Sequence, residues 1–218
     1  MKAMSKNAPR RIPVWIWLVV AIALGLLWLR TAVATLSVVS SDSMIPALLP
    51  GDRLIVDRRA ARRLPRRGDV VVFRYPGEPG RVYVKRVIGL PGETITYHAD
   101  RLAIDGRPAT YLPQPDYRFR SGEGPFGTSE ANAFIEGFAG SGHRILERPE
   151  PLHAPGSVWH VPSGHVFLLG DNRDASNDSR FLGAVATDDI EGRAYRVLWS
   201  RDEAVGRIRW SRTWQAVD

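Results

Sequence analysis

The chain has 218 residues, of which 44% are hydrophobic and 9% aromatic, and its formal net charge at pH 7 is +7. This composition can bury a core, which excludes a disordered protein, and the absence of cysteine excludes disulfides, thiol nucleophiles and cysteine-based metal sites. The basic residues are scattered and no zinc-finger or RNA-binding signature occurs, so nucleic acid is not a favoured partner.

The first predicted element is an apolar run, IPVWIWLVVAIALGLLWL, at residues 12–29. As a helix it would be about 27 Å long, near the thickness of the bilayer core. Because Lys and Arg precede it, the positive-inside rule predicts a cytoplasmic tail at 1–11, a transmembrane anchor at 12–29 and an extracytoplasmic domain at 30–218. A cleaved secretory signal stays an alternative, since AVA at 32–34 resembles a processing site, although signal cores usually have about 7 to 15 residues.

The region after the apolar run consists mostly of short β-type segments. The stretches DRLIVD, DVVVFRY, RVYVKRVIGL and SVWHVPSGHVFLLG are rich in β-branched and aromatic residues and are divided by Gly, Pro and Asp turns. No alternation of strands with helices is visible, so the sequence predicts a mainly β fold. Residues 109–155 are rich in Gly, Pro, Arg and Glu with weak periodicity, which predicts a small inserted subdomain.

Four serines stand between the apolar run and the first predicted strand, in SVVSSDSMIPALLPGDRLIV, and Ser41 and Ser43 are the last two of them. Pro and Gly explain a turn there, and Leu-Ile-Val explains a strand, but neither requires Ser41 and Ser43. No Gly-x-Ser-x-Gly elbow singles out another serine in the chain. The two hydroxyls are therefore candidates for chemistry.

Lysine usage points to a possible base. The chain has lysine only at Lys2, Lys6 and Lys85, and every other basic position beyond the tail is arginine. An arginine cannot lose its proton in a protein, whereas a buried lysine can, although one lysine could also survive by chance in an arginine-rich chain. To act near neutral pH, the pKa of Lys85 must fall by about three units. Strand alternation places Lys85 on one face with Tyr83, and Arg86 on the other.

A third polar stretch, LLGDNRDASNDSRFLGAV, ends an apolar segment. Turn chemistry accounts for Gly170, Asp171 and Asn172. In an extended segment Asp178 and Arg180 would share one face and could form an ion pair.

The histidines are expected to be structural or surface residues rather than catalytic bases, because all stand in turn-rich or strand-like contexts. They are His98, His143, His153, His160 and His165.

The three polar stretches together carry a family resemblance. SDSMIPALLPGD, RGDVVVFRYP with YVKRVIGLPGE, and GDNRDASNDSRFLG closely resemble the ordered signature boxes of the bacterial type I signal peptidases, or leader peptidases. The match runs from Ser41 to about Ala194, apart from 109–155. This family is a serine protease with a Ser/Lys dyad on a mainly β fold, so the resemblance implies Ser43 as nucleophile and Lys85 as general base.

The resemblance also implies supporting roles. The Ser41 hydroxyl and the Ser43 backbone N–H would form the oxyanion hole, and Ser176 would orient the lysine amine. Asp178 and Arg180 correspond to a structural ion pair. The residues implied near the lysine without a catalytic role are Gly170, Asp171, Asp178 and Arg180.

The implied function is that of a membrane-bound endopeptidase. It would remove signal peptides from exported preproteins by cutting after small residues, at the inner membrane with its catalytic domain in the periplasm, in contact with lipid and without metal or cofactor. Asp42, where many relatives have Gly, and Ala47, where they often have Thr, depart from the pattern. Two alternatives stay open: a narrow-specificity processing peptidase of a secretion or conjugation system, and a non-catalytic membrane-anchored peptide-binding protein.

Overall fold

The structure is a computed structural model, and it describes most of the chain. The predicted cytoplasmic tail at 1–11 lies outside the described residues, as does His153. For residues 26–33 the backbone is described and the side chains are not. The described ranges are 13–120, 128–138, 141–149 and 157–217.

One long helix, α1, runs from Val14 to Val33 and covers most of the apolar run. Its described side chains are mostly exposed, with Val14, Trp15 and Leu18 all more than half accessible. Among the residues that the structure describes, no helix meets the length and apolarity that a membrane crossing requires. The anchor at 12–29 therefore stays a prediction.

The rest of the described chain is mainly β, which confirms the predicted fold class. The strands, in chain order, are β1 (Ala34–Val38), β2 (Asp52–Asp57), β3 (Val70–Arg74), β4 (Val82–Gly89), β5 (Thr94–His98), β6 (Arg101–Ile104), β7 (Arg107–Pro108), β8 (Thr110–Phe119), β9 (Ser129–Phe138), β10 (Ser141–Glu147), β11 (Ser157–His160), β12 (His165–Leu169), β13 (Val185–Ala186), β14 (Ile190–Asp202) and β15 (Arg207–Ile208).

The strands form three antiparallel sheets. The largest has the order β1-β2-β14-β3-β4-β12-β13, and β15 pairs with β14. A second sheet has the order β11-β5-β6-β7, and a third has the order β10-β9-β8. The third sheet lies within the segment 109–155, and we call it the insertion sheet.

Burial patterns explain why these segments pair as they do. β2 alternates between buried and partly exposed side chains, as expected of a strand with one face on the core. β3 lies in the middle of its sheet and is buried on both faces. Val70 and Val72 join one core cluster, whereas Val71 and Phe73 join another on the opposite face. The large sheet is thus a rigid base for side chains on its neighbour β4.

The insertion sheet packs on the part of the chain that carries the candidate nucleophile. Ala131 and Ala133 of β9 and Leu146 of β10 form a buried cluster with Ile45, which follows the Ser41–Ser43 segment by two residues. Burial of this cluster brings the sheet within reach of any site built around Ser43.

Candidate active site

Ser43 and Lys85 are in direct contact. The Lys85 Nζ donates a hydrogen bond of 2.7 Å to the Ser43 Oγ and one of 3.1 Å to the backbone oxygen of Val84. Ser43 lies in a short 3-10 turn, Asp42–Met44, which we call the nucleophile turn. Lys85 lies in β4, where it pairs in register with Val71 of β3. The two groups are only 5% and 3% exposed, so the contact is made away from solvent.

Burial changes the acidity of the Lys85 amine. Removal from water lowers the pKa of Lys85 to about 8, while the carboxylates of Asp178 and Asp171 raise it and Arg180 lowers it further. A substantial fraction of the amine is then neutral at a pH only slightly above 7. The Lys85 Nζ also lies 5.8 Å from the centre of the Tyr83 ring, which confirms that these two side chains share a face of the strand.

Ser41 places a second hydroxyl beside the nucleophile candidate. Its Oγ is 3.1 Å from the Ser43 Oγ, and its side chain faces solvent at the mouth of the site. A hydroxyl in this position can donate a hydrogen bond to a negative oxygen that forms next to Ser43.

The third polar stretch packs directly against the nucleophile turn. We call residues 170–176 the support turn. Its Asn172 backbone N–H donates to the Ser43 carbonyl oxygen at 3.0 Å, and the Asn172 Nδ2 donates to the Asp42 carbonyl oxygen at 3.1 Å. A Cβ at Gly170 would lie 2.6 Å from the Ser43 carbonyl oxygen, so only glycine allows this close approach. The support turn thereby fixes the backbone of Ser43.

Ser176 ends the support turn and lies close to the site without bonding to the lysine. Its side chain is buried, and its Oγ has no hydrogen-bond partner among the described residues. The hydrogen bond to Lys85 that the resemblance implies is therefore not formed in this structure. The Oγ instead faces Gly170, where it would lie 2.2 Å from a Cβ.

Behind the lysine, Arg86 and Asp171 form a buried ion pair. The Arg86 Nε and Nη2 donate to the two carboxylate oxygens of Asp171 at 2.8 and 2.7 Å, and both side chains are at most 2% exposed. The Arg86 Nη1 also donates to the Gly68 carbonyl oxygen at 2.8 Å. This pair ties β4 to the support turn from the face opposite to Lys85.

Asp178 and Arg180 pair through a different geometry from the extended one predicted. A one-turn helix, α2, runs from Ser179 to Leu182, and Asp178 caps it by accepting the Arg180 backbone N–H at 3.2 Å. An aspartate that can satisfy a free N–H at a helix start favours this turn over a strand. The Arg180 Nε still donates to the Asp178 carboxylate at 2.9 Å, and the carboxylate also accepts from the Gly170 N–H at 3.0 Å.

An open cleft of about 1950 Å³ borders the nucleophile turn. Ser41 and Asp42 line it on one side, and Asn172 and Ser176 of the support turn line it on another. It extends between the end of β8 and the loop that joins β14 to β15.

Comparison with known proteins identifies the family. Residues 12–199 match the family model described as Signal peptidase, peptidase S26. The chain belongs to this family. Among its signal peptidase I relatives, that of Pseudomonas fluorescens is 36% identical over 190 residues, which cover 76% of this chain and 64% of the relative. That of Pseudomonas aeruginosa is 35% identical over 187 residues, which cover 74% of this chain and 63% of the relative.

The chain thus spans slightly less than two thirds of the length of these two signal peptidase relatives. A signal peptidase I from Aquifex aeolicus is 29% identical over 212 residues, which cover 82% of this chain and 81% of the relative. A crystal structure of a signal peptidase I from Enterococcus faecalis is 28% identical and covers 60% of this chain and 97% of its own, with a TM-score of 0.35.

Family membership confirms the resemblance to the signal peptidases, and the structure brings together most of the residues that it nominated. Ser41, Ser43 and Lys85 converge, and the four nearby residues lie behind them in or beside the support turn. The Arg86–Asp171 pair was not predicted from the sequence, although alternation along β4 already placed Arg86 on the face opposite to Lys85. The role of Asn172 was not predicted beyond turn chemistry, because no sequence pattern indicates a contact with Asp42, which lies 130 positions away.

Proposed function

We propose that this chain is a serine endopeptidase of the signal peptidase I type, which removes signal peptides from exported preproteins by cutting after small residues. One observation carries the proposal: the buried Lys85 Nζ lies 2.7 Å from the Ser43 Oγ. A serine hydroxyl is a weak nucleophile until a base takes its proton, and a lysine whose pKa is lowered to about 8 can do so without a histidine.

The proposed reaction begins with neutral Lys85. Its amine takes the proton of the Ser43 hydroxyl while the Oγ attacks the carbonyl carbon of the scissile peptide bond. The resulting oxyanion accepts hydrogen bonds from the Ser43 N–H and the Ser41 hydroxyl. When the intermediate collapses, the C–N bond breaks and the Lys85 ammonium gives its proton to the leaving amine. Lys85 then activates a water that hydrolyses the acyl-enzyme and frees Ser43.

The substrate is proposed to bind in an extended form. β1 stands at the edge of the large sheet and leads directly into the nucleophile turn, so its free edge can pair with a peptide backbone. The cleft beside Ser41 and Asp42 has room for a further part of the preprotein. Ser176 keeps its proposed role of orienting the lysine, a role that requires its hydroxyl to turn towards the amine once substrate is bound.

The proposed location is the inner membrane, with α1 as a single anchor at residues 12–29, the tail at 1–11 in the cytoplasm and the domain at 30–218 in the periplasm. Support comes from the charge-free apolar run and from its exposed side chains, which lipid would cover. The same arrangement would hold Ser43 close to the outer surface of the membrane, where an exported chain presents its signal peptide.

The first experiment is cleavage of a preprotein that has an Ala-x-Ala site by detergent-solubilised wild type, Ser43→Ala and Lys85→Arg, from pH 6 to 10. We expect wild type to cut after the small residue, with an acid limb in kcat/KM near pH 8, and both variants to lose at least about 10³-fold. The matched control is Lys6→Arg, which makes the same substitution in the proposed cytoplasmic tail. This variant should cut like wild type.

The cleavage assay separates the proposed peptidase from the alternatives. Cleavage by Lys85→Arg would show that the base is not an amine that must lose its proton, and the dyad would be wrong. If wild type cuts none of several Ala-x-Ala substrates, the narrow-specificity peptidase or the peptide-binding protein takes its place. Asp42 favours the narrow-specificity form of these two, because it puts a carboxylate on the cleft wall next to the nucleophile.

A further inference from the structure

A buried carboxylate of the insertion sheet forms an ion pair with the support turn. Glu136 of β9 is fully buried and accepts two hydrogen bonds from Arg173, one of them from Nη1 to Oε1 at 2.7 Å. It also accepts a bond of 2.7 Å from the Tyr111 hydroxyl. Arg173 is only 1% exposed, so the pair is sealed from solvent on both sides.

Arg173 belongs to the support turn and connects to its backbone. Its Nε donates to the Gly170 carbonyl oxygen at 3.2 Å, and its own carbonyl oxygen accepts from Arg180. The neighbouring Asn172 holds the Ser43 carbonyl oxygen. Glu136 therefore acts on the backbone that positions the nucleophile through a single intervening side chain.

A second link runs beside the first. The Nε2 of His143, on β10, lies 3.5 Å from a Glu136 oxygen and 3.9 Å from an Asp171 oxygen, and it forms no hydrogen bond with the described residues. Burial lowers the pKa of His143 to about 4, so the ring is neutral at the pH of the reaction. The Leu146 N–H of the same strand donates to the Asp171 carbonyl oxygen at 2.8 Å. The insertion sheet thus holds the support turn at two points.

A buried ion pair gives little net stability, because removing two charges from water costs about as much as their attraction returns. Its better attested use is to fix one arrangement among several. A position next to the backbone of the nucleophile is where such fixing matters for a reaction, since small displacements of reacting groups lower rates strongly.

We propose that Glu136 is a positioning residue, which acts through Arg173 to hold the support turn against the nucleophile turn and so to keep water from the Lys85 amine. This inference rests on the proposed function. It assigns to the segment 109–155, which the resemblance relates only to a variable non-catalytic region, a direct part in shaping the site.

The charges around Lys85 decide the direction of the expected effect. The groups that face the amine are Asp171, Asp178 and Arg180, with Tyr83 on its own strand. If the support turn loosens, water returns to the amine, which raises the pKa of Lys85. The two carboxylates also move away, which lowers it. Burial is the larger of these influences, so the pKa of Lys85 should rise.

The test is the variant Glu136→Gln, which keeps the shape of the side chain and removes its charge. Because the chain has only three lysines, NMR of protein labelled at lysine Nζ shows Lys85 as one of three signals, identified by its absence in Lys85→Arg. We expect Lys85 in Glu136→Gln to titrate at least about half a unit higher than in wild type. The acid limb of kcat/KM should move by the same amount, a loss of about three-fold at pH 7 that recovers near pH 9.5.

The matched control is Arg144→Gln, which removes an exposed charge from β10 of the same sheet and should leave both measurements unchanged. If Glu136→Gln does not fold, Glu136→Asp, which keeps the charge but draws it back by one methylene, serves in its place. A variant that unfolds at lower temperature yet keeps the wild-type titration of Lys85 and the wild-type acid limb overturns the proposal. The NMR titration needs no substrate, so it separates this failure from a failure of the proposed peptidase activity.

Discussion

Burial of the charged Lys85 amine destabilises the folded state below pH 8. In the folded protein the pKa of Lys85 is about 8, against 10.5 in an exposed lysine. Between these two values the unfolded chain binds a proton that the folded chain does not, so the free energy of unfolding rises with pH across this window. Below pH 8 both states are protonated, and the folded state carries the full cost of a buried charge, about 3 kcal/mol.

Lys85→Met should therefore change the pH dependence of stability. At pH 7 the free energy of unfolding of the variant should be higher relative to wild type than it is at high pH. The difference between the two proteins should shrink by about 3 kcal/mol between pH 8 and 10.5. Denaturant unfolding in detergent at pH 7 and pH 10 measures the difference between the two proteins, in which the titration of all other groups cancels. A difference that stays constant with pH would mean that Lys85 keeps an ordinary pKa.

The second hydroxyl should act only in the transition state. Ser41→Ala removes one donor to the oxyanion, so we expect kcat to fall by about 10² to 10³ with little change in KM and no change in the acid limb. Ser163→Ala, which removes an exposed hydroxyl outside the cleft, is the control and should keep wild-type kcat. A loss confined to KM would place Ser41 in substrate binding instead.

At the scale of elements, strand β4 works through both of its faces. One face carries Lys85 to Ser43, and the other carries Arg86 to Asp171, so a single strand positions the proposed base and anchors the support turn. This double use follows from the two-residue repeat of a strand, since adjacent side chains point to opposite faces.

Asp171→Asn should damage this anchor severely. It leaves the Arg86 guanidinium buried without its carboxylate partner, and breaking a buried pair in this way costs about 3 to 5 kcal/mol of unfolding free energy. Thermal and denaturant unfolding of the variant measures the loss. Glu78→Gln, which breaks the exposed Arg81–Glu78 pair, is the comparison and should unfold like wild type. Equal stability of the two variants would show that the Arg86–Asp171 pair is not an anchor.

Local patterns predicted the elements better than the contacts between them. The β segments and the faces of β4 follow from period-two alternation, which needs only neighbouring residues. The α2 turn was expected to be extended, because the capping bond of Asp178 depends on a backbone geometry that spacing alone does not reveal. The Glu136–Arg173 pair joins residues 37 positions apart, and no local pattern marks either one as buried.

At the scale of the whole molecule, three layers of structure meet at Ser43. The large sheet supplies Lys85, the support turn holds the Ser43 backbone, and the insertion sheet braces the support turn through Glu136. The family resemblance of the sequence had already marked the segments that contain Lys85 and the support turn. The third became visible only in the folded chain, because the insertion sheet reaches the site through tertiary packing rather than through a shared motif.

The proposed membrane anchor depends on the apolar surface of α1. Replacing Val19 and Ile22, two exposed residues of α1, by arginine should release the full chain from the membrane, because each arginine near the centre of a span costs about 2.5 to 3.5 kcal/mol. Sedimentation of membranes after an alkaline wash measures the bound fraction. Leu112→Arg combined with Val158→Arg, at exposed apolar positions in the other two sheets, adds the same charge and should stay with the membrane. If both double variants remain bound like wild type, α1 is not what holds the chain to lipid.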